Sequence, residues 1–135
     1  MKVVNKFPPN YEAICARFNI RGRRDVVFTY GDTLYAPNGG NIPGDLMAHE
    51  ETHSYQQQEY GVEEWWERYL DDSEFRLNQE LEAYRVQYQW CLQHMGRQER
   101  RAALKFYADS LSGPIYGRLI SFDRAKELIQ WNNQK

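Results

Sequence analysis

The chain has 135 residues with 17 Lys+Arg against 19 Asp+Glu, a net charge of −2; one domain over residues 1–135 is expected, and no charge surplus points to a polyanion. Ten Tyr, six Phe and four Trp supply enough apolar surface for a core and exclude wholesale disorder. No apolar run reaches bilayer length, and MKVVNKFPPN lacks the apolar stretch of a secretory signal, so no membrane partner and a cytoplasmic location are expected.

In chain order, the Pro8-Pro9 break and Asn10 precede a short helix over Tyr11 to Arg17. Arg21 to Arg24 make a basic turn without the interleaved aromatics of a nucleic-acid surface, so no nucleic-acid partner is expected. Val26-Val27-Phe28-Thr29-Tyr30 and Thr33-Leu34-Tyr35-Ala36 read as strands around a Gly31-Asp32 turn, closed by Pro37-Asn38-Gly39-Gly40. Pro43 opens a helix that runs to Tyr60 and stops at Gly61. Val62 to Leu70 forms a short helix whose adjacent Trp65 and Trp66 point one inward and one toward the surface. Asp72 or Ser73 caps a long helix to Met95 closed by Gly96; helices over Gln98 to Leu111 and, behind Ser121, Phe122 to Trp131 complete the chain. The expected class is α+β, a short N-terminal β-hairpin or meander followed by a bundle of about four to five helices. Cys15 and Cys91 are too far apart in sequence for a metal knuckle and read as free thiols, Cys91 as a small buried residue.

His49-Glu50-Glu51-Thr52-His53 is an H-E-x-x-H pattern inside the helix behind Pro43. Residues four apart on a helix lie one turn apart and about 40° apart around the axis, so two imidazoles can converge on one Zn²⁺. Zinc lowers the pKa of a bound water to roughly 7, and a Glu directly after the first His stands where it can take that proton. Two histidines alone hold zinc poorly, so a third ligand is required. His94 is distant; Glu80 and Glu82 on the following long helix are the carboxylates on offer.

Helix geometry chooses between the two. With Glu80 at 0° and about 100° per residue, Leu77, Leu81, Tyr84, Tyr88, Cys91 and Met95 fall between about 20° and 100°. Glu80 borders that apolar stripe, whereas Glu82 falls at about 200°, toward solvent. A carboxylate bordering a buried face needs a partner or a metal, which makes Glu80 the ligand and Glu82 a solvated charge.

His49-Glu50-Glu51-Thr52-His53 followed by Glu80-Leu81-Glu82-Ala83-Tyr84 resembles the gluzincin arrangement, in which a second helix supplies a glutamate. Together with Tyr30 to Tyr35, Trp65-Trp66 and Glu74-Phe75-Arg76-Leu77, the pattern over roughly residues 25 to 95 is similar to small phage-encoded zinc metallopeptidases. The resemblance implies a minimal zincin-like domain, with His49, His53 and Glu80 as zinc ligands and Glu50 as general base and acid. One departure is Tyr84, which stands where gluzincins carry an Asp that orients a ligand histidine.

The implied reaction is amide hydrolysis of a peptide or protein substrate. Tyr84 is the candidate either to order the ligands or to donate to the oxyanion, with Tyr55 and Gln56 lining the cleft. An edge strand beside the active-site helix, expected at Asp32 to Ala36, would receive an extended peptide. Two further readings share the metal: a non-catalytic, zinc-stabilised binding or structural protein of phage origin, and a zinc amidase or endopeptidase acting on peptidoglycan. His94 is expected at a helix C-terminus without a chemical role.

Overall fold

The computed structural model describes residues 1–131. Helix α1 (Tyr11–Arg17) precedes a hairpin of β2 (Phe28–Tyr30) and β3 (Thr33–Tyr35), and β1 (Lys2–Val4) joins them. Five helices follow: α2 (Gly44–Tyr60), α3 (Val62–Asp71), α4 (Ser73–His94), α5 (Arg97–Leu111) and α6 (Phe122–Trp131), with a single 3₁₀ turn at Pro114–Tyr116. The described residues thus hold six α-helices and a small sheet, an α+β arrangement dominated by helix. No helix among them is long and apolar enough to cross a membrane.

The sheet has the order β1-β3-β2, with β1 parallel and β2 antiparallel to β3. Gly31 turns the hairpin at φ +67°, a conformation that favours glycine. Because β1 covers its outer side, β3 is central, which corrects the expectation that Asp32 to Ala36 supplies an edge strand. The strand that faces α2 is β2. A three-residue strand such as β1, half exposed and paired with residues thirty positions away, carries no local signal.

Helix boundaries follow local chemistry. Asp72 caps α4 by accepting from the Glu74 and Phe75 amides, both at 3.1 Å. Ser121 caps α6 through the Arg124 amide at 3.2 Å. Gly96 does not close α4, whose chain leaves the helix through an extended Met95; it is the residue ahead of α5. At the start of α2, Gly44 lets α4 approach, since a Cβ there would overlap the Trp90 indole.

Two apolar clusters form. One joins Leu81, Tyr84, Tyr88 and Cys91 of α4 to Leu104, Tyr107 and Leu111 of α5 and Ile129 of α6. The other joins Ile14, Ile20 and Phe28 to Trp65, Trp66 and Tyr69 of α3. Both indoles are buried, so neither is the surface member expected of the pair: Trp66 Nε1 donates to the Thr29 carbonyl at 3.1 Å, and Trp65 Nε1 donates to Gln79 at 2.9 Å. Between the clusters runs α2. Its buried residues are His49, Glu50, Thr52, His53, Gln56 and Gln57, all polar.

Candidate metal centre

The inward-facing polar side chains of α2 form two stripes about 100° apart. His49, His53 and Gln56 turn toward α4, while Glu50, Ser54 and Gln57 turn toward the hairpin. The first stripe meets Glu80. His49 Nε2 lies 3.1 Å from Glu80 Oε1, His53 Nε2 lies 3.2 Å from it, and the two Nε2 atoms are 3.2 Å apart. All three side chains are at least nine-tenths buried.

The outer nitrogens set the direction of the lone pairs. Gln87 Nε2 donates to Asp45 at 2.9 Å, so its Oε1 is left to accept from His49 Nδ1 at 2.8 Å. Gln56 Nε2 donates to the Gln79 carbonyl at 3.1 Å and to Glu82 at 2.6 Å, so its Oε1 accepts from His53 Nδ1 at 2.8 Å. Each imidazole therefore carries its hydrogen on Nδ1 and aims Nε2 at the shared point. Two Nε2 lone pairs and a carboxylate oxygen facing one another repel unless a cation lies between them.

The donor set fits zinc. Tetrahedral bonds of about 2.0–2.1 Å place ligand atoms about 3.3–3.4 Å apart, and the three edges here are 3.1–3.2 Å. Two imidazole nitrogens and one carboxylate oxygen leave a fourth position open. Glu80 is anchored from behind, where Tyr69 donates its hydroxyl to Oε2 at 2.5 Å. Burial and the neighbouring Glu80 charge raise that phenol well above its ordinary range, which keeps it a donor.

Burial alone would lower His53, but the charge and hydrogen bond of Glu80, joined by Glu50 and Gln56, raise it to about 9. Burial would raise Glu80, yet the charge of His53 and the hydrogen bonds of both histidines hold it well below the ordinary carboxylate range.

Glu50 belongs to the other stripe. Thr29 of β2 donates its hydroxyl to Oε1 at 2.8 Å, and Oε2 lies 3.9 Å from His49 Nε2. The hairpin that aims it is clamped to α2, because Gln57 takes the Gly31 amide at 2.7 Å and donates to the Thr29 carbonyl at 2.8 Å, and Ser54 donates to the Gly31 carbonyl at 2.7 Å. A cavity of about 100 Å³ opens on His49, Glu50, His53 and Glu80. Its remaining wall is largely apolar, with Phe28, Val27, Trp65, Trp66 and Ile115, and carries the Tyr116 ring.

His49, Glu50, His53 and Glu80 thus come together as expected in sequence. Tyr84 sits beside them with its ring edge-on to His49, centroids 4.6 Å apart, and its hydroxyl 3.3 Å from that of Tyr116. Its hydroxyl is pushed up by burial and by Glu80. The cavity wall is formed by Tyr116 and not by Tyr84. Glu82 is exposed as expected, but it holds the Gln56 amide and is not merely a solvated charge. Tyr55 is exposed and Gln56 is buried behind His53, away from the lining expected of it. His94 is exposed and stacks on Trp90, centroids 4.1 Å apart. His49 Nδ1 is held by Gln87, which donates in turn to Asp45, and Tyr107 donates to Asp45 at 2.5 Å. Sequence reasoning missed Tyr69, Gln87 and Tyr116, and placed Gln56 in the cleft lining instead of behind His53; for the two glutamines a signal existed, since Gln56 follows His49 by seven residues and Gln87 follows Glu80 by seven, two turns along the same face.

No protein-family model, curated protein or solved structure matches the chain.

Proposed function

We propose that this protein is a zinc-dependent metallohydrolase, a zincin-like peptidase of the gluzincin type that hydrolyses an amide bond. The observation that carries the reading is the convergence of His49, His53 and Glu80 beside Glu50 on one cavity. Zinc held by those three side chains supplies Lewis acidity toward a carbonyl and toward water. Glu50, held at one oxygen by Thr29, keeps its other oxygen to take the proton of the attacking water and return it to the leaving amine. Gln87 and Gln56 keep the imidazole hydrogens on Nδ1, so both Nε2 atoms remain donors to the metal. The apolar cavity wall excludes water and favours a substrate with an apolar side chain next to the scissile bond.

A zinc that only stabilises the fold is the second reading, favoured by the burial of every side chain around the point. Protein purified without added metal is expected to carry one Zn²⁺ per chain, lost in Glu80→Ala and kept in Glu82→Ala. Glu50→Gln is expected to keep zinc and abolish peptide hydrolysis. Full zinc content with no hydrolysis of any peptide by the unaltered chain would leave the structural reading standing.

A further inference from the structure

On α4, one turn before Glu80, stands Arg76, which is 7% exposed. Its Nη1 donates to the Tyr69 carbonyl at 2.5 Å, and its guanidinium lies over the rings of Phe18 and Tyr69, 5.1 and 5.8 Å from their centroids. Nε is buried without a hydrogen-bond partner, and no carboxylate among the described residues forms an ion pair with the group. A guanidinium removed from water without a counter-charge is unfavourable, and a fold that keeps one beside a reactive site has a use for it.

The group faces a groove of about 580 Å³ whose wall includes Arg17, Asn19, Arg23 and Arg76 and no acidic residue. Arg17 and Arg23 are tied to Asp71 and Asp25 at 2.9 and 2.7 Å, but those pairs are half exposed and therefore weak and exchangeable. Phe18 and Ile115 line both this groove and the cavity at His49, Glu50, His53 and Glu80, so the two are adjacent and share a wall of two side chains. A ligand that passes those two side chains reaches from one into the other.

We infer that the groove binds a carboxylate of the substrate, with Arg76 as its fixed partner and Arg17 and Arg23 as mobile ones. Resting on the peptidase reading, this narrows the substrate to a peptide with an apolar residue at the cavity and a negative charge beyond it. A planar guanidinium suits a carboxylate bidentately. The carboxylate is either the C-terminus of the peptide or an acidic side chain, and the two are separable.

The test uses the full chain as Glu50→Gln, loaded with zinc, and three acetylated tripeptides of apolar residues: one with a free C-terminus, one C-terminally amidated, and one amidated with Glu at its last position. Calorimetry is expected to show the free acid or the Glu peptide binding at least about tenfold tighter than the plain amide. That preference is expected to shrink in Arg23→Ala and to vanish in Arg76→Gln. Should Arg76→Gln fail to fold, the Arg76 Nε–H resonance of the unaltered arginine reports directly: it is expected to move with the preferred peptide and to stay with the plain amide. Equal affinities for all three peptides, or an unmoved Arg76 resonance, overturn the inference even if peptides are hydrolysed. A carboxylate preference in Glu50→Gln, together with no hydrolysis of any peptide by the unaltered chain at full zinc content, overturns the peptidase reading and leaves the groove assignment standing.

Discussion

Replacing Glu80 with Gln keeps the shape of the side chain and removes the charge on which both histidines converge. In metal-free protein, His53 titrates at about 9 in the folded state against roughly 6.5 in an unfolded chain. A folded-state pKa raised in this way adds stability that is complete below pH 6.5 and lost as pH rises through about 9. The separation of about 2.5 units corresponds to about 3 kcal/mol, or about 10 °C in Tm for a domain of this size. In Glu80→Gln the burial of His53 remains and its main counter-charge is gone, so that contribution is absent throughout. Thermal denaturation in chelator from pH 6 to 10 is therefore expected to show the unaltered chain losing about 10 °C relative to the variant. One equivalent of zinc is expected to remove most of the pH dependence from the unaltered chain, because the ion takes the place of the proton. A Tm difference between the two proteins that stays constant across this range would refute the reasoning.

Gln87→Ala and Gln56→Ala are each expected to weaken zinc binding by about 10- to 100-fold in a competitive chelator titration, by freeing the Nδ1 atoms they hold. Thr29→Val is expected to leave zinc content unchanged and to lower kcat by about tenfold, since the hydroxyl aims Glu50 without touching the metal ligands. Steady-state kinetics are expected to place Tyr116→Phe below Tyr84→Phe in kcat, by up to about 100-fold, because Tyr116 and not Tyr84 forms the cavity wall. In Gly44→Ala the new methyl group meets the Trp90 indole, and urea denaturation is expected to show a loss of about 1–3 kcal/mol.

The parts of this site legible in sequence are those that one helix encodes by itself. His49, Glu50 and His53 owe their relation to the pitch of α2, and Glu80 betrays itself by bordering the apolar stripe of α4 that Tyr84, Tyr88 and Cys91 define. Gln56 and Gln87 share those faces, yet their partners are set by packing: Gln87 of α4 meets His49 of α2, and Gln56, which accepts from His53 of its own helix, is oriented by the Gln79 carbonyl and Glu82 of α4. Glu82 shows the converse, an exposed carboxylate whose use depends on a glutamine from another helix. Tyr69 and Tyr116 come from α3 and the 3₁₀ turn, and only packing brings them to Glu80 and the cavity. The strand pair was readable from its β-branched and aromatic run, whereas β1 was not, because its pairing with β3 is non-local.

The two polar stripes of α2 divide the work of the site, and that division explains what so small a sheet is for. The ligand stripe is fixed by α4, through Glu80 directly and through Gln87. The base stripe is fixed by the hairpin, through Thr29 on Glu50 and through Gln57 and Ser54 on the turn. Since the fully buried side chains of α2 are all polar, its seat depends on these polar partners, and the zinc proposed for His49, His53 and Glu80 would couple its own binding to folding. The same contacts argue against a substrate strand joining β2 at its midpoint. The outward carbonyl of Thr29 already accepts from both Gln57 and Trp66, and a peptide would have to displace a buried amide and an indole to reach it. The hairpin therefore acts as the mount for Glu50, and in the function proposed above a substrate would be held by the apolar cavity and by the arginine groove that shares its Phe18 and Ile115 walls.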